Sequence, residues 1–120
     1  MTILRTAAIA LTLAATSAAL PAFGAHSVTR ADEFSYSDPI DGSSARQQGL
    51  RIEFGPHARI VLRKSGTGTQ GATLRLYLEA WSADDFNQAP EAFLAPLAHH
   101  AEQVIGLKTR TGRAGPDVVT

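Results

Sequence analysis

Arg63 to Arg75 reads "RKSGTGTQGATLR", and within it Gly66 to Gly71 spells G-x-G-x-x-G. Glycines at that spacing can bring a backbone close to a pyrophosphate, but the dinucleotide-binding turn also requires a helix whose N-terminus faces the phosphates. After Gly71 the chain continues Ala-Thr-Leu-Arg-Leu-Tyr-Leu, which alternates with period two and has no helical stripe. The strand–turn–helix context is missing, so the dinucleotide reading fails. A second chemistry remains open to the same residues. Glycine-rich backbone can turn successive N–H groups towards one anion. Ser65, Thr67 and Thr69 add hydroxyl donors, and Arg63 and Arg75 flank the stretch with planar, always-charged guanidinium groups suited to phosphate. The alternative is a plain glycine-rich hairpin loop; the density of donors favours the anion site.

Charge distribution points the same way. The 120-residue chain has zero formal net charge, which points away from nucleic acid and from an anionic membrane surface as partners. Yet between Arg46 and Arg75 six basic residues stand against one acid, Glu53. A basic segment in a neutral chain suits either a local anion site or a solvated strand face. There is no cysteine, which removes disulfide scaffolds, zinc-thiolate sites and thiol nucleophiles. His99-His100 with Glu102 offers ligand types, but adjacent helical residues point about 100° apart, so the pair reads as solvated helix surface. No metal site and no catalytic residue is assigned.

The elements that must position these residues are set by periodicity. Residues 1–25 have one charge, Arg5, then an alanine-rich apolar run from Ala7 to Leu20, Pro21, and small residues around Phe23. That is the layout of a secretory leader, a signal-like apolar helix preceding the domain, so this segment is excluded from the fold. Export would then place the rest outside the cytoplasm, in the periplasm, with no membrane contact after leader removal. Asp32 to Gly49 is mostly turn, with a short extended piece around Phe34 and Tyr36. Leu50–Phe54 alternates apolar and polar; Arg59–Arg63 is β-branched and apolar; together they form an antiparallel hairpin. Thr73–Trp81 is a third strand, with Leu74, Leu76 and Leu78 on one face and Arg75, Tyr77 and Glu79 on the other. Phe93, Leu94, Leu97, Ala101, Val104 and Ile105 recur at three and four, an amphipathic helix ending at Gly106, with a kink expected at Pro96. With one helix for the whole sheet, part of the apolar face near Leu74, Leu76 and Leu78 or Ile60 and Leu62 is expected to stay uncovered.

On these residues the chain resembles a known family. "DEFSYSDPIDGSSARQQGLRIEF", "RIVLRKSGTGTQGATLRLYLEAW" and "TGRAGPDVVT" look like the C-terminal domain of phosphoglucomutase, of the α-D-phosphohexomutase superfamily, over residues 28–120. The resemblance implies an α+β fold, a small antiparallel sheet with helices on one side, similar to the TATA-binding-protein-like fold. It implies that Arg63, Ser65, Gly66, Thr67 and Arg75 grip the phosphate of a sugar phosphate or a phosphate ion. It implies a whole enzyme interconverting glucose 1-phosphate and glucose 6-phosphate, with magnesium as cofactor, and cytoplasmic residence if the leader is not a signal. The departures are equally specific. The "TASHNP"-like phosphoserine motif, the "DGDGDR"-like metal loop and the "GEESFG"-like sugar loop do not occur in this chain. Lys64 stands where the family usually has an apolar residue. The expectation is therefore a phosphate-binding fragment, inactive alone and using no cofactor of its own. The alternatives are an exported module for phosphorylated ligands, or one subunit of a split mutase partnered by the remaining domains.

Overall fold

A computed structural model describes residues 3–4, 20–68, 71–84 and 87–120. Its elements are β1 (Ile3–Leu4), β2 (Arg30–Ser37), β3 (Ser44–Phe54), β4 (Ala58–Gly68), β5 (Gly71–Ala80), α1 (Pro90–Ile105) and α2 (Leu107–Thr111). The strands form one sheet in the order β1-β5-β4-β3-β2, every neighbouring pair antiparallel. The α+β class that the resemblance implies is what forms.

Strand alternation sorts the side chains. Leu50↔Leu62, Ile52↔Ile60 and Phe54↔Ala58 pair across β3 and β4, and Ile60↔Leu78 and Leu62↔Leu76 across β4 and β5. These even-numbered positions share the face on which α1 lies. Leu97, Ala101 and Ile105, spaced by four, bring one helical stripe down onto Ile52, Phe54, Ile60, Leu62 and Leu74. Full burial of each such aliphatic side chain stabilises by roughly 1.5–3 kcal/mol relative to exposure. Pro90 opens the helix, where its missing N–H costs nothing. Pro96 lies inside α1, which runs on through it. Gly106 closes it in the left-handed region at φ 67°, its N–H donating to the Glu102 carbonyl.

Four expectations are corrected. The stretch Asp32 to Gly49 is not mostly turn: β2 and β3 take up all of it but residues 38–43, because its residues find cross-strand partners. The apolar face is not left open at Ile60, Leu62 and Leu74, which are 1%, 7% and 6% exposed, while Leu76 and Leu78 stay partly buried. His100 is not solvated helix surface. It is buried against Phe54 and Phe23, with ring centroids 5.3 and 5.5 Å away, while its neighbour His99 is exposed, as expected of solvated helix surface. And the segment excluded from the fold contributes to it. Leu20 and Phe23 pack on the core, and the Phe23 ring lies 5.7 Å from that of Phe54. Phe23 and His26 exchange backbone hydrogen bonds, forming a tight turn, and His26 stacks on His57 at 3.9 Å. Ile3 and Leu4 pair with Thr73 and Ala72 as an edge strand. The apolar run from Ala7 lies outside the described residues as far as position 19, so the leader helix expected there does too.

The opposite face of the sheet is held by charge. Asp32 of β2 receives Arg51 Nε at 2.9 Å and Arg51 Nη2 at 2.7 Å, a two-pronged contact that ties the edge strand to β3. Arg30 Nε adds a third hydrogen bond at 2.9 Å. The Arg51 hydrogen bond holds the Asp32 carboxyl below the usual carboxylate range, against the opposing effect of partial burial.

A chain beginning at Ala25 loses Leu20 and Phe23 from the core, and Phe23→Ala in the full chain should destabilise by about 1–3 kcal/mol, since the ring is half-buried. In thermal melts, both should fall below the full-length protein by several degrees; coincident melts would show that the turn adds nothing. For Asp32, the folded-state value lies below the unfolded one, so its contribution is complete above the ordinary carboxylate range and is lost as pH falls through the lowered value. Asp32→Asn should therefore narrow the gap to wild type progressively below about pH 4 in acid-unfolding curves, whereas a gap constant with pH would contradict the pairing.

Candidate functional site

The odd-numbered positions of β3, β4 and β5, with the even-numbered positions Arg30, Asp32 and Phe34 of β2, form the open face of the sheet, and the register lays them out in three rows. In the first, Arg30 pairs with Glu53, Glu53 with Arg59 and Arg59 with Glu79, so charge alternates across four strands. Arg59 Nη2 donates to both Glu79 carboxylate oxygens at 2.6 and 2.7 Å. In the second row Asp32 pairs with Arg51, Arg51 with Val61 and Val61 with Tyr77. The Arg51 guanidinium also lies 5.5 Å from the centre of the Phe34 ring, a cation–π contact.

The third row breaks the pattern. Arg63 and Arg75 are direct partners across β4 and β5. On one face of a sheet such residues stand with their Cβ atoms about 4.5–5.5 Å apart, and like charges placed so are destabilising. Both side chains are exposed, and neither has a carboxylate partner among the described residues. Arg63 Nη2 donates instead to a neutral group, Gln48 Oε1, at 3.1 Å. The arginines of the first two rows, Arg30, Arg51 and Arg59, are each matched by an acid; these two are matched to each other.

Next along the strands Ser65 pairs with Thr73, and Gly68 pairs with Gly71. Between those pairs β4 advances three residues and β5 two, so β4 holds one extra residue around Gly66 and Thr67. The expected open loop over residues 66–71 is therefore strand up to Gly68, with a bulge, and again from Gly71; residues 69–70 lie outside the described residues. A bulge interrupts the regular ladder, so β4 departs from regular pairing around Gly66 and Thr67 even though the segment is strand. The structure thus brings the five residues Arg63, Ser65, Gly66, Thr67 and Arg75 to one end of β4 and β5.

Beside Arg63 a shallow depression of about 260 Å³ opens on the same face, lined in part by Phe34, Val61, Tyr77 and Glu79. Lys64 is elsewhere: its partner is Leu74, on the helix side of the sheet, so it does not face the two arginines. Gln48 is absent from the candidate residues that the sequence suggests. No sequence pattern marks it, because its position depends on an irregular stretch of β3 meeting β4. Among the described residues no three His, Asp or Glu side chains gather as they would to hold a metal ion. The Asp38–Gly42 stretch is a turn, its carboxylates engaged by its own backbone: Asp38 Oδ1 accepts from Ile40 N–H at 2.7 Å and Asp41 Oδ1 from Ser43 N–H at 2.7 Å.

Comparison with known proteins shows which family the chain resembles. The family described as "Phosphoglucomutase-1, C-terminal domain" matches residues 1–117, a span that includes the segment read as a leader. Human phosphoglucomutase-1 is 50% identical over 97 residues, covering 79% of this chain and 17% of the human protein. The phosphoglucomutase of Schizosaccharomyces pombe is 46% identical over 105 residues, covering 86% of this chain and 18% of its own length. Among solved structures, the open form of parafusin, a phosphoglucomutase of Paramecium, superimposes with a TM-score of 0.68 at 36% identity, over 76% of this chain and 16% of that one. The chain spans less than a fifth of the length of these relatives. With a family match over nearly the whole sequence and a shared fold, it belongs to the phosphoglucomutase-1 C-terminal domain family.

Proposed function

We propose that this chain is a sugar-phosphate grip, in which Arg63 and Arg75 hold the phosphate from two adjacent strands and Ser65, Gly66 and Thr67 supply hydroxyl and backbone donors. The observation that carries the reading is the third row of the open face: two arginines in direct opposition, with no acid between them, on a sheet that pairs the arginines of its other rows. An anion seated between two such guanidinium groups replaces like-charge repulsion with two charge-assisted contacts. The unpaired backbone of a bulge is suited to complete an oxyanion's hydrogen bonds. Ser65 and Thr67 are given this role by the family resemblance.

The role is binding rather than turnover. Phosphoryl transfer needs a positioned donor, an acceptor and a cation together, and the phosphoserine and metal motifs of the family do not occur in this chain. In this reading the grip serves a mutase whose other domains supply those parts, and the ligand is a glucose phosphate recognised here by its phosphate alone. Magnesium belongs to those other domains. Affinity in isolation is low, since one surface neither buries nor orients the ligand.

Titration of the ¹⁵N-labelled protein with inorganic phosphate should shift the backbone amides of residues 63–75, and glucose should leave them unmoved. Arg63→Ala and Arg75→Ala should each weaken the phosphate response by roughly ten- to a hundredfold, the worth of one charge-assisted hydrogen bond. Arg63→Lys should also weaken it, because lysine lacks the planar fork. NAD should bind no more tightly than other phosphate compounds. Amides that stay in place as phosphate is added to the folded protein would overturn the reading.

A further inference from the structure

The β3 strand is irregular beside the anion site. Phe34 of β2 pairs with Gly49 and Tyr36 pairs with Ala45, so β2 advances two residues while β3 advances four. The two extra residues lie among Arg46, Gln47 and Gln48. Gln47 adopts φ 55°, unusual for a residue with a side chain, and β3 rejoins regular pairing only at Gly49. There the strands come too close for any other residue. A Cβ on Gly49 would lie 2.3 Å from the Leu62 carbonyl oxygen and 3.1 Å from Arg63 Cγ. The close approach therefore sets β3 directly against the base of the Arg63 side chain.

The irregular turn ends by presenting Gln48 to that side chain. Gln48 Nε2 donates to the Arg46 carbonyl at 3.1 Å, within the same bulge. That contact uses the NH₂ end of the amide on the bulge itself and leaves Oε1 facing Arg63, whose Nη2 donates to it at 3.1 Å. An amide oxygen orients a guanidinium without neutralising it. A carboxylate in this place would cancel the charge that an anion needs, as Glu79 does for Arg59. A neutral acceptor is what an arginine requires if it is to be held in one direction and still be available.

We propose that Gln48, delivered by the β3 bulge, is a positioning residue for Arg63: it fixes the guanidinium across from Arg75 while leaving its charge free for phosphate. This rests on the anion-site reading and extends it to a strand that provides none of the residues assigned to the grip.

The test uses the full chain, inorganic phosphate as probe, and two readouts. Gln48→Met keeps the length of the side chain and removes both hydrogen bonds. It should loosen Arg63 before any ligand is added, seen as a lower heteronuclear NOE at the Arg63 side-chain Nε–H. It should weaken phosphate binding by roughly three- to tenfold, the scale of one neutral hydrogen bond. In an Arg63→Ala background the same change should have no further effect on binding, because Gln48 acts only through Arg63. Gln48→Glu should weaken binding more than Gln48→Met, by pairing with Arg63. Phosphate affinity equal to wild type in Gln48→Met, or an equal loss with and without Arg63, overturns the assignment of Gln48 alone. A wild-type protein that ignores phosphate overturns the anion site itself, and this inference with it.

Discussion

The pairing register of β4 with β5 decides which residues meet on each side of this sheet. Ile60↔Leu78 and Leu62↔Leu76 place the apolar set under the helix, and the same register places Arg59 against Glu79, Val61 against Tyr77 and Arg63 against Arg75 on the open side. A slip of one residue would send every side chain of the shifted strand to the other face. It would put arginines beneath α1, among the apolar side chains of the core, and it is excluded by the cost of burying such charges. The core thus enforces the position of the two arginines. Their opposition is not chosen for stability; it is imposed by a register that the leucines and isoleucines maintain.

The sheet can hold such a pair because the repulsion lies at its solvent end and is screened there, while the burial that fixes the register is deep. Along the open face the balance changes in one direction. At the β3–β4 turn, acids and bases alternate across the strands; one row further the charges share space with Phe34, Val61 and Tyr77; in the row of Arg63 and Arg75 only positive charge is left. Both departures from regular pairing, at residues 46–48 in β3 and around Gly66 and Thr67 in β4, fall at that same end. Regular ladder holds the molecule together, and in the proposed reading the irregular ladder is what serves a ligand.

Much of this was readable in the sequence. Strict alternation in Leu50–Phe54 and Thr73–Trp81 marked the strands and their inner faces, and the spacing of Leu97, Ala101 and Ile105 marked the helix and its buried stripe. Arg63 and Arg75 stood out by type and by their place on either side of the glycines. What could not be read depended on contacts between segments remote in sequence. Gln48 matters through a bulge that exists only once β2, β3 and β4 are paired. His100 is polar by type, and only the arrival of Phe23 and Phe54 around it makes its site a core site. Phe23 itself follows an alanine-rich stretch whose composition reads as a secretory leader, whereas its ring packs on Phe54. Residues 66–68 read as loop because glycine and threonine dominate them, whereas their pairing partners draw them into strand.

The central claim is that Arg63 and Arg75 are held in mutual repulsion that an anion relieves. Charge reversal at one of them tests this most directly. Arg75→Glu would turn the third row into an ion pair like that of Arg59 and Glu79, so thermal unfolding in phosphate-free, low-salt buffer should move upward, by the roughly 0.2–1 kcal/mol that an opposite-charge cross-strand pair contributes. Added phosphate should raise the melting temperature of the wild type, as any ligand of the folded state does, and leave Arg75→Glu unchanged. A variant that melts below the wild type without phosphate, or one that phosphate stabilises as much as it does the wild type, would contradict the account.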